Sequence, residues 1–167
     1  GKLGPDGTNA TLFFFERDDY TEEWEVVQKI EKNDAPLFGF NLGAFDDTVV
    51  ATATARNTNN EADAVVYIYM RSATTGQWEE VLQAVVGKHS DTFSGPKVCI
   101  SNDTIAVGTY DDYNNRSYKS GTVHVFTWRY EGHEELVGPS LWEETQVLTA
   151  QDIESFDRFG FGISIWG

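Results

Sequence analysis

The sequence predicts an all-β fold, and three observations predict it. The chain repeats itself with a period near 55 residues, and each copy carries short apolar segments in one fixed order. No window longer than about ten residues keeps a helical period. Hydrophobic residues make up 40% of the 167 and aromatics 14%, enough to build a core for one ordinary domain.

The elements follow one another in the same sequence each time. First comes an aromatic strand: TLFFFER (11–17), VVYIYMR (65–71) and TVHVFTW (122–128). A strand opened by Trp and an acid follows, at Trp24-Glu25, Trp78-Glu79 and Trp142-Glu143. EWEVVQKIEK (23–32) comes nearest to a helical pattern, but its counterpart WEETQVLTA carries β-favouring Thr residues, so both read as strands. Next is a strand opened by Phe and a small residue: Phe38-Gly39, Phe93-Ser94 and Phe159-Gly160. A small apolar strand closes the first two copies, TVVATA (48–53) and TIAVGT (104–109), after tight polar turns at Asp46-Asp47 and Asn102-Asp103.

Spacing supports the repeat. Trp24 and Trp78 lie 54 residues apart, Phe38 and Phe93 lie 55 apart, and Trp78 and Trp142 lie 64 apart. Most of the excess in the last interval is a seven-residue insertion in the first hairpin of copy three, within YEGHEELVGPS. The expected division is an inter-repeat loop at 1–10, repeat 1 at 11–63, repeat 2 at 64–120 and repeat 3 at 121–167, the last without its closing strand. All three belong to one domain.

Four antiparallel strands per repeat of this length is the pattern of a β-propeller blade. A blade is apolar on both faces, so neighbours must stack to bury it, and aromatic side chains fill the wedge between them. Closed propellers use four to eight blades. About three repeats, the third incomplete, therefore predict part of a larger propeller or of an assembly that lends strands from another chain.

Charge narrows the partners. A formal net charge of −15 excludes nucleic acid and disfavours anionic membrane surfaces, leaving cations and neutral ligands. No stretch approaches the roughly 20 apolar residues of a membrane span, so no membrane insertion is expected. The one cysteine, Cys99, permits neither an intrachain disulfide nor a thiolate metal site, and reads as a buried, inert thiol.

Segments such as GTVHVFTW, LWEETQVLTAQDIESFDRFGFGISI and SNDTIAVGTYDDYNNRSYKSGTVHVF resemble FG-GAP repeats, the blades of integrin α-chain-like β-propellers. The resemblance covers the chain from Ala10 onward, best in the third copy and weakest in the first. It implies extracellular or cell-surface adhesion or ligand-binding scaffolds without catalytic activity. One departure matters. Integrin-type blades carry an Asp- and Asn-rich calcium loop after the Phe-Gly strand, whereas here two or three residues fill that place, too few to supply the six to eight oxygens calcium needs. No metal site and no cofactor are expected.

No catalytic constellation emerges either. His133 in GHEEL lacks the second His of a zinc-protease motif, and consecutive His89-Ser90-Asp91 cannot converge as a triad. His124 points away from Val123 and Val125, either between blades or outward. Asn9, Asn102 and Asn115 head three N-glycosylation sequons, placed in loops and one hairpin turn. Trp24, Trp78, Trp142, Phe38, Gly39, Phe93, Phe159 and Gly160 define the repeat and are expected to pack it. The expected function is a non-catalytic extracellular binding module that recognises protein or glycan through its rim loops. The alternative is a structural subunit of an extracellular polymer, its open blade completed by a neighbouring copy.

Overall fold

The computed structural model describes residues 2–3, 10–33, 35–56, 62–89, 95–112, 119–129 and 142–166. Among these, eleven strands form three antiparallel sheets and no helix is present. The first sheet joins β1 (Lys2–Leu3), β2 (Ala10–Arg17) and β3 (Trp24–Lys32). The second joins β4 (Leu42–Phe45), β5 (Thr48–Arg56), β6 (Ala62–Arg71) and β7 (Trp78–His89) in chain order. The third joins β8 (Lys97–Ser101), β9 (Thr104–Thr109), β10 (Thr122–Trp128) and β11 (Trp142–Leu148) in the same way. These four-stranded meanders are β-propeller blades.

The sheet frame is offset from the sequence repeat by two strands. Repeat 1 at 11–63 gives β2 and β3 to the first sheet and β4 and β5 to the second. Within each full sheet the order is therefore Phe-Gly segment, small apolar strand, aromatic strand, Trp strand. Within 1–10, expected as a loop, Lys2 pairs with Thr11 and Leu3 with Ala10.

The Phe-Gly motif itself is a turn rather than the start of a strand. Phe40 N donates to Leu37 O at 2.9 Å, and Phe161 N donates to Arg158 O at 3.1 Å. Gly39 (φ 76°) and Gly160 (φ 85°) occupy the third turn position, where a positive φ is required. Leu37 and Arg158 before them share a left-handed conformation, at φ 61° and 55°. After the first turn the chain enters β4 by pairing with β5. Residues 162–166, expected as the third copy of this strand, carry no ladder, since no small apolar strand lies beside them among the described residues.

Stacking of the sheets makes the core. Ala10, Leu12 and Phe14 from β2 face Ala51, Ala53, Val65, Tyr67 and Tyr69 of the second sheet. On the opposite face of that sheet, Val50, Ala64, Val66, Ile68 and Val86 meet Ile105, Val107, Phe126 and Trp142. Strand β6 thus alternates between two apolar neighbours, which is why VVYIYM carries no polar face.

Candidate functional site

The repeat-defining aromatics take graded positions in this stack. Phe38 is 2% exposed and lies between the first two sheets, edge-on to Tyr67 at 5.3 Å and to Tyr69 at 6.3 Å. Trp78 stacks on Phe14 of the preceding sheet at 4.8 Å. Its backbone is held by Gln28, whose Oε1 accepts from Trp78 N at 2.7 Å and whose Nε2 donates to Trp78 O at 2.8 Å. Trp142 is 3% exposed between the second and third sheets, whereas Trp24 is 67% exposed, with no described sheet over it. Phe159 is half-buried beside the third sheet, and its N donates to Ser120 O at 2.8 Å. A Cβ on Gly108 would overlap the Gly160 carbonyl, so glycine at 108 is what admits this turn.

A polar clasp ties the first two sheets at one edge. Lys32 Nζ lies 2.7 Å from Glu80 Oε2 and 4.7 Å above the Tyr67 ring. Tyr69 OH donates to the same Glu80 oxygen at 3.2 Å. Burial first, and then the Glu80 charge, push the Tyr69 phenol above its usual range.

Between the second and third sheets a second polar group surrounds His124. This residue pairs with Val107 in the ladder, so it shares that residue's face, toward the second sheet. Its Nε2 lies 3.2 Å from Thr122 Oγ1 and its Nδ1 lies 3.2 Å from Glu144 Oε1. Thr122 Oγ1 also reaches Thr109 Oγ1 at 2.6 Å and Asp112 Oδ2 at 3.2 Å. The group spans hydroxyls, an imidazole and carboxylates in one gap. Cys99 in β8 is half-buried, and burial pushes its thiol above the usual range, which leaves it a poor nucleophile.

The open site lies at the rim of the hairpin tips. Asp46-Asp47 joins β4 to β5, and Asn102-Asp103 joins β8 to β9, with Asp46 at φ 47° and Asn102 at φ 48°. Asp and Asn tolerate this conformation better than most residues, which is why they stand there. Each tip is tied to the end of the aromatic strand. Asp47 O accepts from Arg71 N at 2.9 Å, and Asp103 O accepts from Trp128 N at 2.8 Å. Between the two tips is a cavity of about 270 Å³, lined by Phe45, Asp46, Asp47, Thr48, Met70, Asn102, Asp103, Trp128 and Trp142. Trp128 and Trp142 are cross-strand partners with rings 5.4 Å apart, edge to face.

Of the residues singled out in the sequence, this cleft brings together Trp142 and the turn residues Asp46, Asp47, Asn102 and Asp103. It adds Trp128, whose role the repeat alignment contained but did not announce. Opposite the Trp of the next strand stand Arg17 in the first sheet and Arg71 in the second, and Trp128 takes that place in the third. Asn9, Phe93 and Asn115 lie outside the described residues, as do Ser90, Asp91, His133 and the insertion. So does the side chain of His89.

Among the described residues no group of three or more His, Cys, Asp or Glu side chains is arranged to hold a metal ion. No helix among them is long and apolar enough to cross a membrane. Compared with known proteins, residues 78–126 match the family model of the FG-GAP repeat, a span running from the Trp strand of the second sheet through β10 of the third. No curated protein and no solved structure matches the chain.

Proposed function

We propose that this chain, which carries an FG-GAP repeat, is a non-catalytic binding or adhesion module of extracellular β-propeller type. FG-GAP repeats are typical of extracellular proteins and generally serve as binding modules rather than catalysts. The observation that carries the reading is the cleft between two hairpin tips: an aromatic floor, polar walls, and strands on both sides that hold it rigid. The ligand is a protein or a glycan reached through the rim, and sequons at Asn9, Asn102 and Asn115 are the candidate glycan acceptors of the module itself.

The test is saturable binding of the labelled chain to arrayed glycans and immobilised extracellular-matrix proteins, competed by unlabelled chain. Saturable, competed binding without turnover of the bound material supports the module. Turnover, or binding that never saturates, refutes it. A second reading, a structural subunit completed by its neighbours, is favoured by one observation: residues 162–166 carry no ladder, and Phe161 and Trp166 are exposed. It predicts concentration-dependent assembly in light scattering that disappears when residues 159–167 are deleted.

A further inference from the structure

We propose that the rim cleft between the second and third sheets receives an arginine side chain of a protein partner. The proposal rests on the binding reading above and specifies which chemistry the cleft takes. Its floor is built from two indoles, Trp142 buried and Trp128 half-buried, with Phe45 and Met70 closing the sides. Asp46 and Asp47 from one hairpin tip and Asp103 from the other line the same cavity, so acids of both tips border the aromatic surface, one Asp103 oxygen accepting from Thr104 Oγ1 at 3.0 Å. Among the described residues no lysine, arginine or histidine lines the cavity.

The arginines that follow lining residues in sequence are engaged elsewhere. Arg71, after Met70, lies 2.5 Å from Glu16, and Arg129, after Trp128, pairs with Glu143. In the other two sheets the position of Trp128 holds Arg17 or Arg71. The third sheet has thus exchanged a fixed guanidinium for a ring, and acids remain at its side.

A neutral sugar could stack on the indoles and bond the carboxylates, but it would leave the mutual repulsion of the three acids that line the cavity unrelieved. A cation relieves that repulsion, and a chain with net charge −15 draws it in. Among cations, guanidinium fits best. Its planar fork can bond carboxylates on both tips at once, while its face stacks on an indole. The volume of about 270 Å³ suits one long side chain rather than a folded segment.

The experiment is isothermal titration of the full chain, produced in a host that adds no N-glycans so that the Asn102 turn is bare. The probes are acetyl-Gly-Arg-Gly-amide, its citrulline counterpart, which keeps the shape and loses the charge, and cellotetraose. We expect saturable binding of the arginine peptide that weakens as salt is raised. Citrulline should bind at least about tenfold more weakly, since it lacks the charge-assisted bonds. Asp47→Asn and Asp103→Asn should each weaken the arginine peptide about fivefold, again through loss of charge assistance, with thermal melting unchanged.

Equal affinity for citrulline, no binding of the arginine peptide, indifference to both substitutions, or preference for the saccharide would overturn the proposal. A chain that binds a glycan or matrix protein in the array yet ignores the arginine peptide would overturn this site alone and leave the binding reading in place.

Discussion

Phe38 and Phe159 occupy the same position of the same turn, yet only the first lies between two sheets. Phe38 is 2% exposed and touches Tyr67 and Tyr69, while Phe159 is half-buried against the third sheet alone. Truncation to alanine separates a packing role from a turn-forming role. For a fully buried Phe, lost transfer energy and the residual cavity together cost about 3–5 kcal/mol. For Phe159, roughly half the transfer term of a buried side chain is at stake and no closed cavity forms, so about 1–1.5 kcal/mol is expected. Urea unfolding of both variants, followed by tryptophan fluorescence, should show a gap of about 2 kcal/mol or more between them. In thermal melts Phe38→Ala should lie about 10 °C below the parent, since a chain this size shifts about 2–4 °C per kcal/mol. Phe38→Leu should recover most of the loss. Equal destabilisation at both positions would refute the argument, because it would mean that the aromatic ring serves the turn and not the space between sheets.

Three further outcomes follow from the same geometry. Gly108→Ala should push the 158–161 turn off the third sheet and speed tryptic cleavage after Arg158, whereas Gly76→Ala, with φ 70° but open space around it, should cost only about 1–2 kcal/mol of backbone strain and leave that cleavage unchanged. Gln28→Ala should lose both bonds to the Trp78 backbone and cost about 2 kcal/mol in urea unfolding, with the first two sheets losing hydrogen-exchange protection together. Because the Tyr69 phenol ionises in the unfolded chain near its ordinary value of 10 but higher in the fold, its contribution is complete below pH 10 and is lost as pH rises beyond it. Unfolding free energies measured between pH 9 and 11.5 should therefore fall, and Tyr69→Phe should flatten that slope.

The repeat, the strand identities and the stacked-blade architecture were legible because each rests on periodic signals. Alternation in TVHVFTW, the Trp-acid pairs and the turn residues at 46–47 and 102–103 all report local geometry. Which strands share a sheet was not legible. Any cyclic shift of four recurring strands yields the same repeat, and only the ladders decide that β4 pairs with β5 while β3, among the described residues, pairs with β2 alone. The Phe-Gly segment read as a strand because its residues are β-favouring, whereas Gly39 and Gly160 at positive φ make it a turn first. The cleft was legible only in pieces. Trp142 and the turn residues Asp46, Asp47, Asn102 and Asp103 were visible for other reasons, and Trp128 stood out only once Arg17 and Arg71 were seen at its place in the neighbouring sheets.

The two-strand offset between repeat and sheet also governs how such a chain can be cut or copied. A break at the repeat boundary after residue 63 falls two residues into β6, parts that strand from β5, with which it shares nine paired residues, and leaves two unpaired edges in one sheet. A break between β7 and β8 separates whole sheets and opens only the interface between them. Gene segments that lengthen this array without exposing raw edges are therefore those whose ends fall before the Phe-Gly turn, where one sheet is finished and the next has yet to begin.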